Sequence, residues 1–213
     1  MLKRDGPMGG GVKGPGYMDG LNCETDCTDE QLAFRAGRGC GQSFAVLVDR
    51  LGPAILVYLQ RRLGNRHAAE DVMQETFLCV HGALERYDPL RPLRPWLYSI
   101  ATRQAISYQR KCRPLTNVPV DPRDSCPQVL ERLVQAEEEK TLWDRAHRLL
   151  SAESVATLHL RYVEQLSIGH IGQILEKDPG AVRVLLHRAR TKLIEAEAIA
   201  SQSTPDKEAS CGL

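Results

Sequence analysis

Between Phe44 and Leu63 the apolar residues Phe44, Leu47, Val48, Leu51, Ile55, Leu59 and Leu63 recur at three- and four-residue intervals. This spacing gathers them on one stripe of an α-helix, whereas a strand would scatter them over both faces. Helical periodicity begins near Asp29, and no stretch of any length alternates with the strand period. The chain is therefore predicted to be all-α. Gly52-Pro53 interrupts the stripe and predicts two helices there, with Pro53 near the start of the second. A third helix is expected from about His67 to Tyr87 and a fourth from about Pro95 to Arg113, joined by a loop over Asp88–Pro95 that holds three prolines.

Pro114, Pro119, Pro122 and Pro127 then mark a linker. The expected organisation is two small helical domains joined by this Pro-containing segment. A tail covers 1–28, with a Gly-rich stretch to about residue 22; the first domain covers 29–113 and the linker 114–128. The second domain covers 129–200 and a polar tail 201–213. Fully extended, the linker reaches at most about 50 Å.

At 213 residues and 26% charged, the chain fits a globular protein of one or two domains. No apolar stretch approaches the roughly 20 residues of a membrane span, so no membrane insertion is expected. The start lacks the apolar core of an export signal, which points to the cytoplasm. Seven cysteines in such a chain argue against disulfides. Cys23, Cys27 and Cys40 lie near one another without a His at ligand spacing, so incidental thiols are favoured over a metal or redox site. No Gly-rich phosphate loop or nucleophile motif is visible, and neither a catalytic centre, a cofactor nor a metal is expected.

Formal net charge is only +1, but the charges are segregated. Arg91, Arg94, Arg103, Arg110, Lys111 and Arg113 run without an acidic residue, as do Arg183, Arg188, Arg190 and Lys192. Such stretches suit phosphate, and the acidic clusters elsewhere suit another partner. On the third helix Asp71, Gln74, Glu75 and Leu78 share the side opposite Ala69, Val72, Met73, Phe77, Val80 and Leu84. That side is either a solvated face or a contact patch with an apolar centre. On the fourth helix Trp96, Ser99, Arg103, Ile106, Arg110 and Arg113 lie opposite the inward set Leu97, Ile100, Ala101, Gln104 and Tyr108, with Arg94 just before the helix. Cations beside an aromatic fit single-stranded DNA, while a Trp packed at the helix start is the plainer alternative.

Near the end, Ser167 is placed to cap a short helix with Ile168, Ile171, Ile174 and Leu175. A turn follows at Glu176-Lys177, and Asp178-Pro179 opens a helix with Val182, Leu186, Ala189 and Leu193 inward. Ala181, Arg183, Val184, His187 and Arg188 then belong to the outward or N-terminal part. The pattern fits a DNA-reading helix-turn-helix or an ordinary helical hairpin.

Three segments together resemble the extracytoplasmic-function (ECF) class of bacterial RNA polymerase sigma factors. They are RRLGNRHAAEDVMQETFL (61–78), LRPWLYSIA (93–101), and LHLRYVEQLSIGHIGQIL with GAVRVLLHRARTKL. The resemblance implies a non-enzymatic factor whose partners are core RNA polymerase and promoter DNA, with room for an anti-sigma protein. It implies that Asp71, Gln74, Glu75 and Leu78 dock on the polymerase, and that the fourth helix and the loop 86–92 bind and open the −10 element. It assigns the −35 element to Ala181, Arg183, Val184, His187 and Arg188. Departures are Gln104 and Ser107 on the fourth helix, and Glu176 where a turn Gly is common, which predicts a strained left-handed backbone. Competing readings are a self-sufficient helix-turn-helix regulator and a metal or thiol sensor.

Overall fold

The computed structural model describes residues 27–111 and 142–202, all helix and connecting turns, with no strand among them. Several of the helices start where the local chemistry supplies a cap. Helix α1 (Asp29–Gly37) opens at Thr28, whose hydroxyl accepts from the Gln31 N–H while the Gln31 side chain accepts from the Thr28 N–H. Helix α2 (Gly41–Leu63) stops at Gly64, where φ of 70° is natural for a residue without Cβ. Asn65 then caps α3 (Arg66–Ala83) through the Ala68 N–H. A 3-10 turn, Leu84–Arg86, leads through a loop to α4 (Leu93–Lys111). After the segment outside the described residues come α5 (142–149), α6 (Ala152–Tyr162), α7 (Ile168–Leu175) and α8 (Pro179–Gln202).

Helix α2 runs unbroken through Gly52-Pro53, which corrects the expectation of two helices. Pro53 lacks the N–H that would reach the Asp49 carbonyl, and an interior Pro costs about 3 kcal/mol. Leu47, Leu51, Ile55, Tyr58 and Leu59 flank it and are at most 3% exposed. At about 1.5–3 kcal/mol for each apolar side chain buried, keeping them on one stripe outweighs the missing bond. By length and composition alone α2 is also apolar enough to cross a membrane, contrary to the expectation that no stretch is. Here its stripe is covered by α1, α3, α4 and α6, the position of a central core helix.

The described helices form two halves, α1–α4 and α5–α8, that meet along two seams. Helix α6 lies on α2, and α7 lies on α4. Buried residues from both halves form one continuous cluster, from Leu32 and Leu47 to Ile171, Val182 and Ala189. The third helix ends earlier than Tyr87, tightening into the 3-10 turn, because α1 abuts that turn. Gly37 sits so close to the Leu84 carbonyl that any Cβ there would overlap it. The linker 114–128 and both tails lie outside the described residues.

Candidate functional site

On α3 the structure separates the two faces as the periodicity requires. Ala69, Val72, Phe77 and Val80 are buried, while Asp71, Gln74, Glu75 and Leu78 are all exposed. Leu78 is 68% exposed, an isolated apolar side chain ringed by acids and an amide. A patch of this kind loses little by being hydrated and gains by meeting a partner.

Helix α4 divides its candidates. Arg103 and Arg110 are exposed, and Arg94 is half-exposed. Arg103 is braced on its own helix, its guanidinium donating to the Ser99 carbonyl and hydroxyl. The Ser99 hydroxyl in turn donates to the Trp96 carbonyl at 2.6 Å, so it is committed locally and half-buried. Trp96 does not stand free on the outer face, as the helical wheel had placed it. It is half-buried against the core, with its ring 5.1 Å from that of Tyr87. The reason is the loop, which folds back over the first turn of α4. Tyr87 is buried and its hydroxyl donates to the Arg91 carbonyl, while the Asp88 carboxylate accepts from the Leu90 N–H. Burial, then the nearby charges of Glu30 and Asp88, push the Tyr87 phenol up to about 12, so it remains a donor at neutral pH. Leu90, at the tip, is 92% exposed.

Helices α7 and α8 form a helix-turn-helix. The Ser167 hydroxyl accepts from the His170 N–H, and the Asp178 carboxylate accepts from the Gly180 N–H at 2.7 Å. Between them Glu176 takes φ 54°, ψ 46°, the left-handed backbone that its position predicted. The turn is tight enough that a Cβ on Gly172 would come within 2.7 Å of the Lys177 carbonyl oxygen. Lys177 is also tied to Glu153 of α6 at 3.2 Å, which fixes the turn to the preceding helix. Val182, Leu186 and Ala189 are buried, and Ala181, Arg183, Val184, His187 and Arg188 are all exposed along one side of α8. An exposed helix with cations in its first turns has the shape and charge to enter a major groove.

The family description "Sigma-70 region 2" matches residues 47–113, and "Sigma-70, region 4" matches residues 141–193. The RNA polymerase sigma factor CarQ of Myxococcus xanthus is 32% identical over 74% of this chain and 90% of its own length. The ECF RNA polymerase sigma factor ShbA of Streptomyces griseus is likewise 32% identical, over 76% of this chain and 91% of its own. The chain belongs to the ECF sigma factors. In that role it recognises promoters in transcription initiation, and sigma factors are not enzymes. Among solved structures, CnrH in complex with the cytosolic domain of CnrY shares the fold, with a TM-score of 0.59 at 24% identity. That likeness covers 83% of this chain and 99% of the other.

Sequence reasoning missed the groups that join this sigma factor's two halves. The Arg61 guanidinium of α2 donates to His159 Nδ1 at 3.0 Å and lies over the Trp143 ring, 4.0 Å from its centroid. Since a guanidinium has no acceptor, Nδ1 accepts and the His159 proton sits on Nε2, facing Glu164 Oε1 at 3.5 Å. Glu164 Oε2 pairs with Arg94 of α4 at 3.3 Å. Tyr98 and Thr102, on a third side of α4, are also buried at this seam, with Thr102 and Tyr58 sharing a 2.7 Å hydroxyl pair. Burial pushes the Glu164 carboxyl up, but His159, Tyr98 and Arg94 outweigh it and hold it below its usual range. Burial first, then the Glu164 charge, drives the Tyr98 phenol far above its ordinary value. The available signal was α4 itself, apolar on more of its circumference than one packing face needs. Of the cysteines raised as a metal or thiol site, Cys27 is buried in the core and Cys40 accepts from the Ser43 hydroxyl. Cys23 lies outside the described residues.

Proposed function

We propose that the first half, residues 29–113, holds core RNA polymerase and opens the −10 element, and that the second, residues 129–200, reads the −35 element. The exposure of Asp71, Gln74, Glu75 and Leu78 on one face of α3 supports their role as the polymerase-docking surface. Arg94, Arg103 and Arg110 contact backbone phosphate along the −10 strand, and the half-buried Trp96 meets a base. Ala181, Arg183, Val184, His187 and Arg188 face the −35 groove. Arg183 reads a base, Val184 offers a methyl-sized apolar contact, and Arg188 binds phosphate. The protein works in the cytoplasm beside the chromosome. Its third partner is an anti-sigma protein, as in the solved complex of Bartonella quintana RpoE with the anti-sigma factor NepR.

The observation that carries this reading is the row of exposed groups along α8, set behind a formed helix-turn-helix turn. A randomised-promoter selection with reconstituted polymerase tests it. An Arg bidentate to guanine gives about 1–3 kcal/mol of discrimination, and a phosphate contact weakens all sequences alike. Arg183→Ala relaxes one or two −35 positions, whereas Arg188→Ala lowers affinity evenly and flattens the salt dependence. Unchanged selections and salt slopes in both variants would remove α8 as the reader.

A further inference from the structure

Helix α1 precedes the residues that match sigma-70 region 2, 47–113. It is nevertheless fixed against both ends of the segment that carries the −10 loop. The Glu30 carboxylate accepts from the Leu93 N–H at 3.2 Å, where the loop enters α4. Gly37 abuts the Leu84 carbonyl, where the chain leaves α3. Glu30, Phe34 and Gly37 follow one another at intervals of four and three residues, so they share one stripe of the helix. Phe34 therefore stands beside the middle of the loop, and it is 41% exposed.

The ring is braced. Arg38, one turn further on, sets its guanidinium 4.5 Å from the ring centroid. Arg38 is itself exposed, as are Arg86 and Arg91 of the neighbouring turn and loop. Most acids along this edge are engaged. Asp29 pairs with Arg50 at 3.4 Å, Glu30 holds Leu93, and Asp88 accepts from the Leu90 N–H and pairs with Arg91 at 3.6 Å. Glu85 is exposed next to Arg86. The α3 patch is acidic and repels phosphate, whereas this edge offers a cation and an aromatic ring together. That pair suits an opened strand, with the ring for a base and the guanidinium for the backbone.

We infer that Phe34 and Arg38 form a second single-strand site, just downstream of the −10 loop. The opened strand runs from α4 across the loop and leaves over α1. There Phe34 stacks on an unpaired base and Arg38 binds the adjoining phosphate. Every base has a face to stack, so the site adds affinity for opened DNA without adding sequence preference. The inference rests on the −10 reading of α4 and its loop, and its test separates the two.

The test uses the full chain with core polymerase and three fork-shaped DNA probes. In the short probe the single strand ends with the −10 element. In the long probe it continues for a few nucleotides, and in the abasic probe those same nucleotides lack their bases. Wild-type holoenzyme should bind the long probe about tenfold tighter than the short one, with the abasic probe between them. Changing the added bases should leave that gain in place. Phe34→Leu keeps the apolar packing without the ring, and should bind the long probe no better than the abasic one. Phe34→Trp should retain the gain. Arg38→Gln should lower binding to both extended probes and flatten their salt dependence. If Phe34→Leu loses helicity by circular dichroism, the abasic comparison and Arg38→Gln decide. Equal wild-type affinity for short and long probes, or a full gain in the folded variants, overturns the site. Variants that keep the gain but bind core polymerase more weakly make α1 a polymerase contact and overturn it too. Failure of wild-type holoenzyme to bind the short probe removes the −10 reading, while the long and abasic probes still decide the α1 site.

Discussion

Glu176 is expected to be the easiest single position at which to stabilise this protein. It ends α7 with φ 54° and ψ 46°, and both its own N–H and that of Lys177 bond to the Gly172 carbonyl. The left-handed backbone costs an L-residue roughly 1–2 kcal/mol, because Cβ crowds the following carbonyl. Glycine removes that cost but loses more chain entropy on folding, about 0.4–1 kcal/mol. Glu176→Gly should therefore gain about 0.5–1 kcal/mol. At roughly 2–4 °C for each kcal/mol in a chain of this size, Tm should rise by about 1–4 °C. Glu176→Asn, which tolerates the left-handed region, should fall between Gly and Glu. Glu176→Val should melt below the wild type, since branching at Cβ worsens the crowding. Thermal unfolding followed by circular dichroism at one protein concentration gives the order. A Gly variant that melts lower than wild type, or a Val variant that melts no lower, would refute the strain argument.

Asp71→Lys with Glu75→Lys should change stability by less than about 0.5 kcal/mol for each exposed site yet abolish capture by core polymerase; undiminished pull-down of the folded double variant would dismiss the α3 patch. Trp96→Ala should impair strand opening more than closed-complex binding, as stacking on a base contributes about 1–3 kcal/mol. Permanganate reactivity of the −10 region reads this, and because Trp96 also packs on Tyr87, Trp96→Phe should restore folding and part of the opening. Burial, against an opposing pull from Asp144 and with some help from the Arg61 charge, lowers the His147 pKa from 6.5. Folded His147 thus takes up a proton less readily than in the unfolded chain. Its contribution is complete above that ordinary value and is lost as pH falls through it. His147→Gln should flatten the decline in stability as pH falls below that ordinary value, measured by urea unfolding.

The local chemistry of the fold was legible because it depends on near neighbours. Ser167 as a cap, Asp178-Pro179 as a helix start and Glu176 as a strained turn are matters of a few residues, and each stands as the sequence implied. The α3 face was legible too, since a helix with one buried side leaves the other exposed. Pro53 misled because its local penalty is visible in the sequence, whereas the tertiary burial that overrides it is not. Trp96 misled because a helical wheel has no knowledge of a loop folding over the first turn. The junction was illegible in the strongest sense. Arg61 and His159 lie 98 positions apart, and no period links them.

Because the two halves belong to one chain, each experiences the other at a local concentration set by that covalent link rather than by dilution. A seam too weak to hold two separate fragments together can then keep the intact molecule closed. Separately produced halves would drift apart at ordinary dilution, and each would expose what the intact protein hides. The covalent connection thus makes the packing of the two halves independent of how much protein is present. At low and at high concentration alike, each half meets the other before it meets a second copy of the chain.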